Sequence, residues 1–73
     1  MTQPFHTNTR VAWDWGSGTA EGNVREVFRE KTTLTIKGAR VTRNATADDP
    51  AYRIEQADGD VVLKLHSELR RAL

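Results

Sequence analysis

No cysteine occurs in this 73-residue chain, which excludes a disulfide framework, a thiolate metal site and a thiol nucleophile. Neither sign of charge is in surplus: 11 Lys and Arg against 10 Asp and Glu leave a formal net charge of +1. Dedicated non-specific nucleic-acid binders carry a large basic excess, so this balance argues against that class. No apolar run approaches membrane-spanning length, and the opening MTQPFHTNTR has no apolar leader core, so a cytoplasmic protein with no membrane partner is the expectation. At 37% hydrophobic residues the chain has material for one thin core and one domain, not for a deep pocket. Repeats and linkers are absent as well.

What is present is alternation. Residues 51–65, AYRIEQADGDVVLKL, contain two apolar-alternating runs, Tyr52/Ile54 and Val61/Leu63/Leu65, on either side of Asp58-Gly59. That dipeptide tolerates the positive φ of a tight turn, and the stretch is the strongest hairpin signal in the chain. Upstream, Arg10–Trp15 places Val11, Trp13 and Trp15 on one face and Ala12 and Asp14 on the other, a half-buried strand broken by Gly16-Ser17-Gly18. In residues 19–30 the apolar positions Val24, Val27 and Phe28 violate period two. A bulge near Arg25-Glu26 restores it. A helix is the competing reading of VREVFREK, but Gly22 before it and the β-branched run after it favour a strand. Residues 31–43, KTTLTIKGARVTR, read as a third strand with a kink at Gly38-Ala39, because Val41 resumes the pattern on the opposite parity from Leu34 and Ile36. Residues 44–50, NATADDP, are a loop of turn formers. Ser67 is placed to cap a short helical turn, SELRRAL, which leans Leu69 on the sheet.

These elements predict an all-β fold, a small five-stranded SH3-like or Tudor-like barrel ending in a short C-terminal helical turn. Residues 1–9 form a loose arm in which Phe5 is the one side chain able to dock, and residues 10–73 form the barrel. The expected core is Val11, Trp13, Val24, Val27, Leu34, Ile36, Ile54, Val61, Leu63 and Leu65.

The order WDWGSG, GNVREVF, TIKGARVTRNATADDPAY, IEQADGDVVLKLHSEL resembles the hypervirulence-associated Tudor domain, a small, mostly bacterial family. The likeness spans about residues 10–69. It is most specific at Ile36-Lys37-Gly38, Arg43-Asn44, Pro50-Ala51, Gly59 and Val62-Leu63-Lys64-Leu65. It implies a Tudor/SH3-like barrel and leaves the ligand open, because a shape does not fix a ligand. Members often carry a Gly-Asp turn ahead of the first strand, where this chain has Asn8-Thr9.

Catalysis is not expected. His66 and Ser67 are sequence neighbours at a strand end, so their side chains diverge, and His6 lies in the arm. Asp58-Gly59-Asp60 lacks the ligand ladder and closing Glu of a calcium loop. Gly16 and Gly18 precede no helix, so they make no phosphate cradle. Neither a cofactor nor a metal is implied. Two binding surfaces stand out. If residues 31–43 are one strand, the loops after the first and third strands share one end of the barrel. Trp15 and Tyr52 then flank one hollow, with Asp14, Asp48 and Asp49 adding negative charge. Such a partial aromatic cage suits a methylated cationic side chain on a protein segment; ordinary barrel-end packing is the alternative. The second surface is a basic strip, Lys31, Lys37, Arg40 and Arg43, facing the phosphates of a nucleic acid, or else a solvated face with cross-strand acids. The expected partner is a protein or peptide, with nucleic acid as the alternative. A further alternative is a structural or stress-related oligomer whose strand edges pair with another copy.

Overall fold

Alternating apolar residues at the start of the chain produce β1 (Arg10–Trp15), which turns through Gly16-Ser17 into β2 (Gly18–Phe28). In the computed structural model, which describes residues 4–72, these strands are followed by β3 (Thr32–Ile36), β4 (Ala39–Arg43), β5 (Ala51–Glu55) and β6 (Val61–Leu65). A 3₁₀ turn at His66–Glu68 and the two-residue β7 (Arg70–Arg71) close the chain. A five-stranded antiparallel sheet runs β6-β5-β2-β1-β7, and β3 and β4 form a separate hairpin. The fold is the small all-β one that the alternation predicts.

The bulge falls where parity demands it. The β2–β5 register shifts between Val24 and Glu26, so Val24 lies opposite Ile54 and Val27 opposite Tyr52. The extra residue, Arg25, is aimed sideways, donating to Glu55 at 2.9 Å and to Asn8 at 2.6 Å. At Gly22 the strands come so close that a Cβ would lie 2.7 Å from Ile54 Cγ2 and 2.8 Å from the Glu55 carbonyl; only glycine fits there.

Three elements differ from expectation. First, residues 31–43 are not one kinked strand but a hairpin. Ile36 pairs with Ala39 across a turn in which Lys37 has φ +51° and Gly38 φ +78°. Consecutive positive φ values are the signature of the tight turn whose twist matches its strands. Second, the helical turn is only His66–Glu68. Ser67 caps nothing, since its N–H and hydroxyl both donate to the Asp49 carboxylate, at 2.8 and 2.9 Å. The Glu68 carboxylate instead reaches back to the Leu65 N–H at 2.8 Å. The chain then returns to extended form and β7 pairs with β1, while Leu69 packs on the core as expected. Third, the arm is docked from Pro4 onward; the rest of the expected arm, residues 1–3, lies outside the described residues. Asn8 N–H donates to Val24 O at 2.7 Å and Val24 N–H to Thr9 O at 3.0 Å, prolonging the ladder beside β2. Asn8 has φ +74°, so it takes the left-handed conformation for which glycine is the usual choice and asparagine a tolerated one.

Both faces of the five-stranded sheet are apolar. On the first, Val11, Trp13, Val24, Tyr52 and Ile54 are buried, with Phe5, Ala20, Val27, Val62 and Leu69 packed around them. On the second, Ala45, Ala51 and Leu63 are buried beneath half-buried Phe28, Leu34, Ile36, Val41 and Leu65, largely from the β3–β4 hairpin. Val27, Leu34, Ile36, Val61 and Leu65 are therefore half-buried rather than sealed. Tyr52 joins the core in their place, with no exposed surface.

Candidate functional site

The missed turn at Lys37-Gly38 decides where the aromatic residues fall. Counting residues 31–43 as two strands inverts the direction of every later strand. Trp15 pairs with Gly18 at one end of β2, whereas Tyr52 pairs with Val27 near the other. The two rings do not share a hollow, and the cage pairing Trp15 with Tyr52 is not assembled. Tyr52 is instead the hub of the docked arm. Its hydroxyl accepts from the Phe5 N–H at 2.9 Å and lies 2.7 Å from His66 Nδ1. The phenol oxygen carries one proton and two lone pairs, so beside the Phe5 N–H it can either donate to Nδ1 or accept from it, as the imidazole tautomer sets. The Phe5 ring stacks on His66 with centroids 4.6 Å apart, and the Arg71 guanidinium lies 5.6 Å from the Phe5 centroid. Burial pushes the Tyr52 phenol above its ordinary range, with the Phe5 N–H pulling the other way.

The acids proposed for the cage are dispersed. Asp14 is on the face of β1 opposite Trp13 and Trp15 and binds Arg70 at 3.0 Å. Asp49 is taken up by Ser67, and Asp48 is exposed in the same loop. In the β5–β6 turn, Asp58 accepts the Asp60 N–H, and Asp60 binds Lys37 at 2.8 Å, an ion pair that holds the Lys37 ammonium above the usual lysine range.

The basic strip is likewise not one surface. Arg40 lies opposite Thr35 on the outer face of the hairpin. Arg43, an odd number of residues further on, faces the other way and binds Glu68 at 3.3 Å. Lys37 sits at the turn in its ion pair with Asp60, and Lys31 is exposed before β3. Alternation scatters these cations and acids neutralise two of them.

What remains at the Trp15 end is a hollow of about 330 Å³. Trp13, Trp15, Ala20, Gln56, Val62 and Lys64 line it. Trp15 is 66% exposed, the exposed large apolar side chain among the described residues, while Trp13 below it is 4% exposed. Ala20 lies opposite Trp13 on β2, and Val62 opposite Ile54 on β6. Period two along three strands thus brings apolar groups to one concave surface whose single charged lining group, Lys64, is positive. Gln56 is not singled out by the sequence, and Val62 and Lys64 enter it only within the Val62-Leu63-Lys64-Leu65 motif, with no binding role. Their common face follows from strand register, which one strand's pattern does not contain.

A family model described as the TUDOR domain of hypervirulence associated proteins matches residues 9–69. Comparison with curated proteins and with solved structures yields no match. The matched span includes the Trp15 end, the β3–β4 hairpin and the Asp49–Ser67 contact.

Proposed function

The chain belongs to the Tudor domain family of hypervirulence associated proteins, and from that premise we propose a non-catalytic interaction module that binds an extended protein segment in the Trp15 hollow. The supporting observation is Trp15 itself, a ring left two-thirds in water over an apolar depression. Tryptophan is the residue most often found to carry binding energy at interfaces. The lining selects the ligand. Lys64 is the charged group of the lining, its ammonium 3.8 Å from the Glu68 carboxylate outside it, so the hollow suits first an apolar or aromatic side chain, and beside it an acidic residue that competes with Glu68 for Lys64. It does not suit a methylated cation, since one exposed ring makes no aromatic cage and the charged lining group is itself positive. Gln56 supplies an amide for the ligand main chain.

Selection of a displayed library of random linear peptides against the folded domain tests this. The expected winners carry an apolar anchor beside Asp or Glu. Trp15→Ala should weaken a selected peptide by about 30-fold, the size of an interface hot spot. Unchanged affinity in folded Trp15→Ala overturns the assignment.

A further inference from the structure

β4 and β6 lie side by side and are not joined in a ladder. The turn that leads into β4 meets the turn that leads into β6 through Lys37 and Asp60, and the far ends meet through Arg43 and Glu68. The two strands therefore run parallel. Between them is a groove of about 180 Å³, lined by Val61–Lys64 and, from the hairpin, by Ile36, Val41 and Arg43. Consecutive strand residues point to opposite faces, so a groove that touches four in a row follows the edge of β6.

Hydrogen-bond phase decides what each strand presents to that groove. Gln56 N–H donates to Asp60 O and His66 N–H to Pro50 O, both at 2.7 Å. Between these bonded pairs the ladder alternates, which leaves the N–H and C=O of Val61, Leu63 and Leu65 turned away from β5. Across the two-residue turn of the hairpin, Ile36 and Ala39 form the closing bonded pair, so Arg40 and Thr42 turn their N–H and C=O away from β3. Parallel pairing uses these two sets of groups. With Val41 opposite Leu63, Leu63 N–H meets Arg40 C=O, Leu63 C=O meets Thr42 N–H, and Leu65 N–H meets Thr42 C=O. Opposite residues of a parallel pair share a face, and Val41 and Leu63 already share one apolar cluster. Leu63 is 2% exposed, so water scarcely reaches the backbone groups it turns outward, and buried backbone groups call for partners.

At the last of these places side chains stand where the ladder would form. Leu65 N–H donates to Glu68 Oε1 at 2.8 Å, Arg43 Nε donates to the same oxygen at 3.3 Å, and Arg43 Nη1 donates to Thr42 O at 3.1 Å. The donor and the acceptor that a ladder would join are thus bridged by a carboxylate and a guanidinium. We propose that the β3–β4 hairpin is a flap with two positions. The open one is seen here, wedged by Arg43 and Glu68. In the closed one β4 zips onto β6 at the ~4.8 Å spacing of neighbouring strands, and the two sheets become one, in the order β3-β4-β6-β5-β2-β1-β7. The wedge is a partly exposed ion pair, and such pairs are weak enough to yield. Lys64, 3.8 Å from Glu68, lines both the seam and the Trp15 hollow. The flap therefore sits beside the proposed peptide site but does not depend on it.

Amide exchange in the Glu68→Ala variant of the full chain tests the proposal. Loss of a plain cap would bare the Leu65 N–H and speed its exchange. Removal of a wedge lets the seam close, so the Leu65 and Thr42 amides should both slow about fivefold, the factor carried by one net hydrogen bond. Faster exchange at Leu65 with Thr42 unchanged overturns the proposal. A second measurement keeps Glu68 and uses the absence of native cysteine. Thr42→Cys/Lys64→Cys stands in register in the closed flap and should form a disulfide under oxidising glutathione. Arg40→Cys/Lys64→Cys is two residues out of register, beyond the roughly 7 Å between Cα atoms that a disulfide spans, and should not. No disulfide in the first pair, or equal yields in the two, overturns the proposal even where Glu68→Ala fails to fold.

Discussion

The two faces of the central sheet are apolar to a similar degree in sequence and differ in how they are closed. The first is sealed by the curl of β1, β2 and β5 and by the docked arm, and Val11, Val24, Tyr52 and Ile54 have no exposed surface. The second is covered by a hairpin that no ladder joins to the sheet. It is held by half-buried side chains and by exposed ion pairs, Lys37–Asp60 at its tip and Arg43–Glu68 at its base. Burial scales with area removed from water, and exposed ion pairs add little. The first face is therefore where stability resides, its exposed apolar surface confined to the Trp15 hollow at one end, and the second is the less firmly closed of the two.

Substitutions break this comparison in order of size. Ile54→Ala, on the sealed face, should cost about 2–5 kcal/mol and leave little folded protein in a domain this small. Leu34→Ala, on the hairpin, should cost clearly less, read from denaturant midpoints. Gly22→Ala forces a Cβ into Ile54 and the Glu55 carbonyl and should cost about 1–3 kcal/mol, with the β2–β5 amides losing exchange protection.

Tyr52→Phe removes the hydroxyl shared by Phe5 and His66, and should cost on the order of 1 kcal/mol. The expected signature is local, with the Phe5 amide exposed and the rest of the sheet unchanged. Tyr52 is the only tyrosine, so phenolate absorbance reads it alone. Its folded-state pKa is raised, because burial favours the neutral phenol. The matching stability is intact below the range of a free tyrosine and is lost as pH rises through the folded-state value. Titration at the pH of a free phenol would contradict the docked arm.

Trp15→Ala should shift stability least, within about 0.5 kcal/mol, because the ring is largely in water. A large loss would mean that Trp15 is part of the sealed face and not of a binding surface.

Much of this was legible in the residues. The parity slip between Val24 and Val27 located the bulge at Arg25, and Asp58-Gly59 located the β5–β6 hairpin. Phe5 was recognisable as the docking residue of the arm, though its partners Tyr52 and His66 were not, because they come from other strands. The turn at Lys37-Gly38 was illegible for a physical reason. Lys37 is an unusual residue for a left-handed turn position, and β-branched residues continue on both sides of it, so the parity change resembled a kink. That single missed reversal sent Tyr52 to the wrong end of the sheet. It also made scattered cations resemble a strip.

Native-state hydrogen exchange, residue by residue, tests the contrast between the two faces most directly. Val11 and Ile54 amides, bonded within the five-stranded sheet, should exchange only through global unfolding, while the Leu34 and Val41 amides, bonded within the hairpin, should exchange at lower free energy through local opening. Equal opening free energies for the two pairs in dilute monomer would contradict it, making the hairpin as much a part of the cooperative core as the sheet it covers.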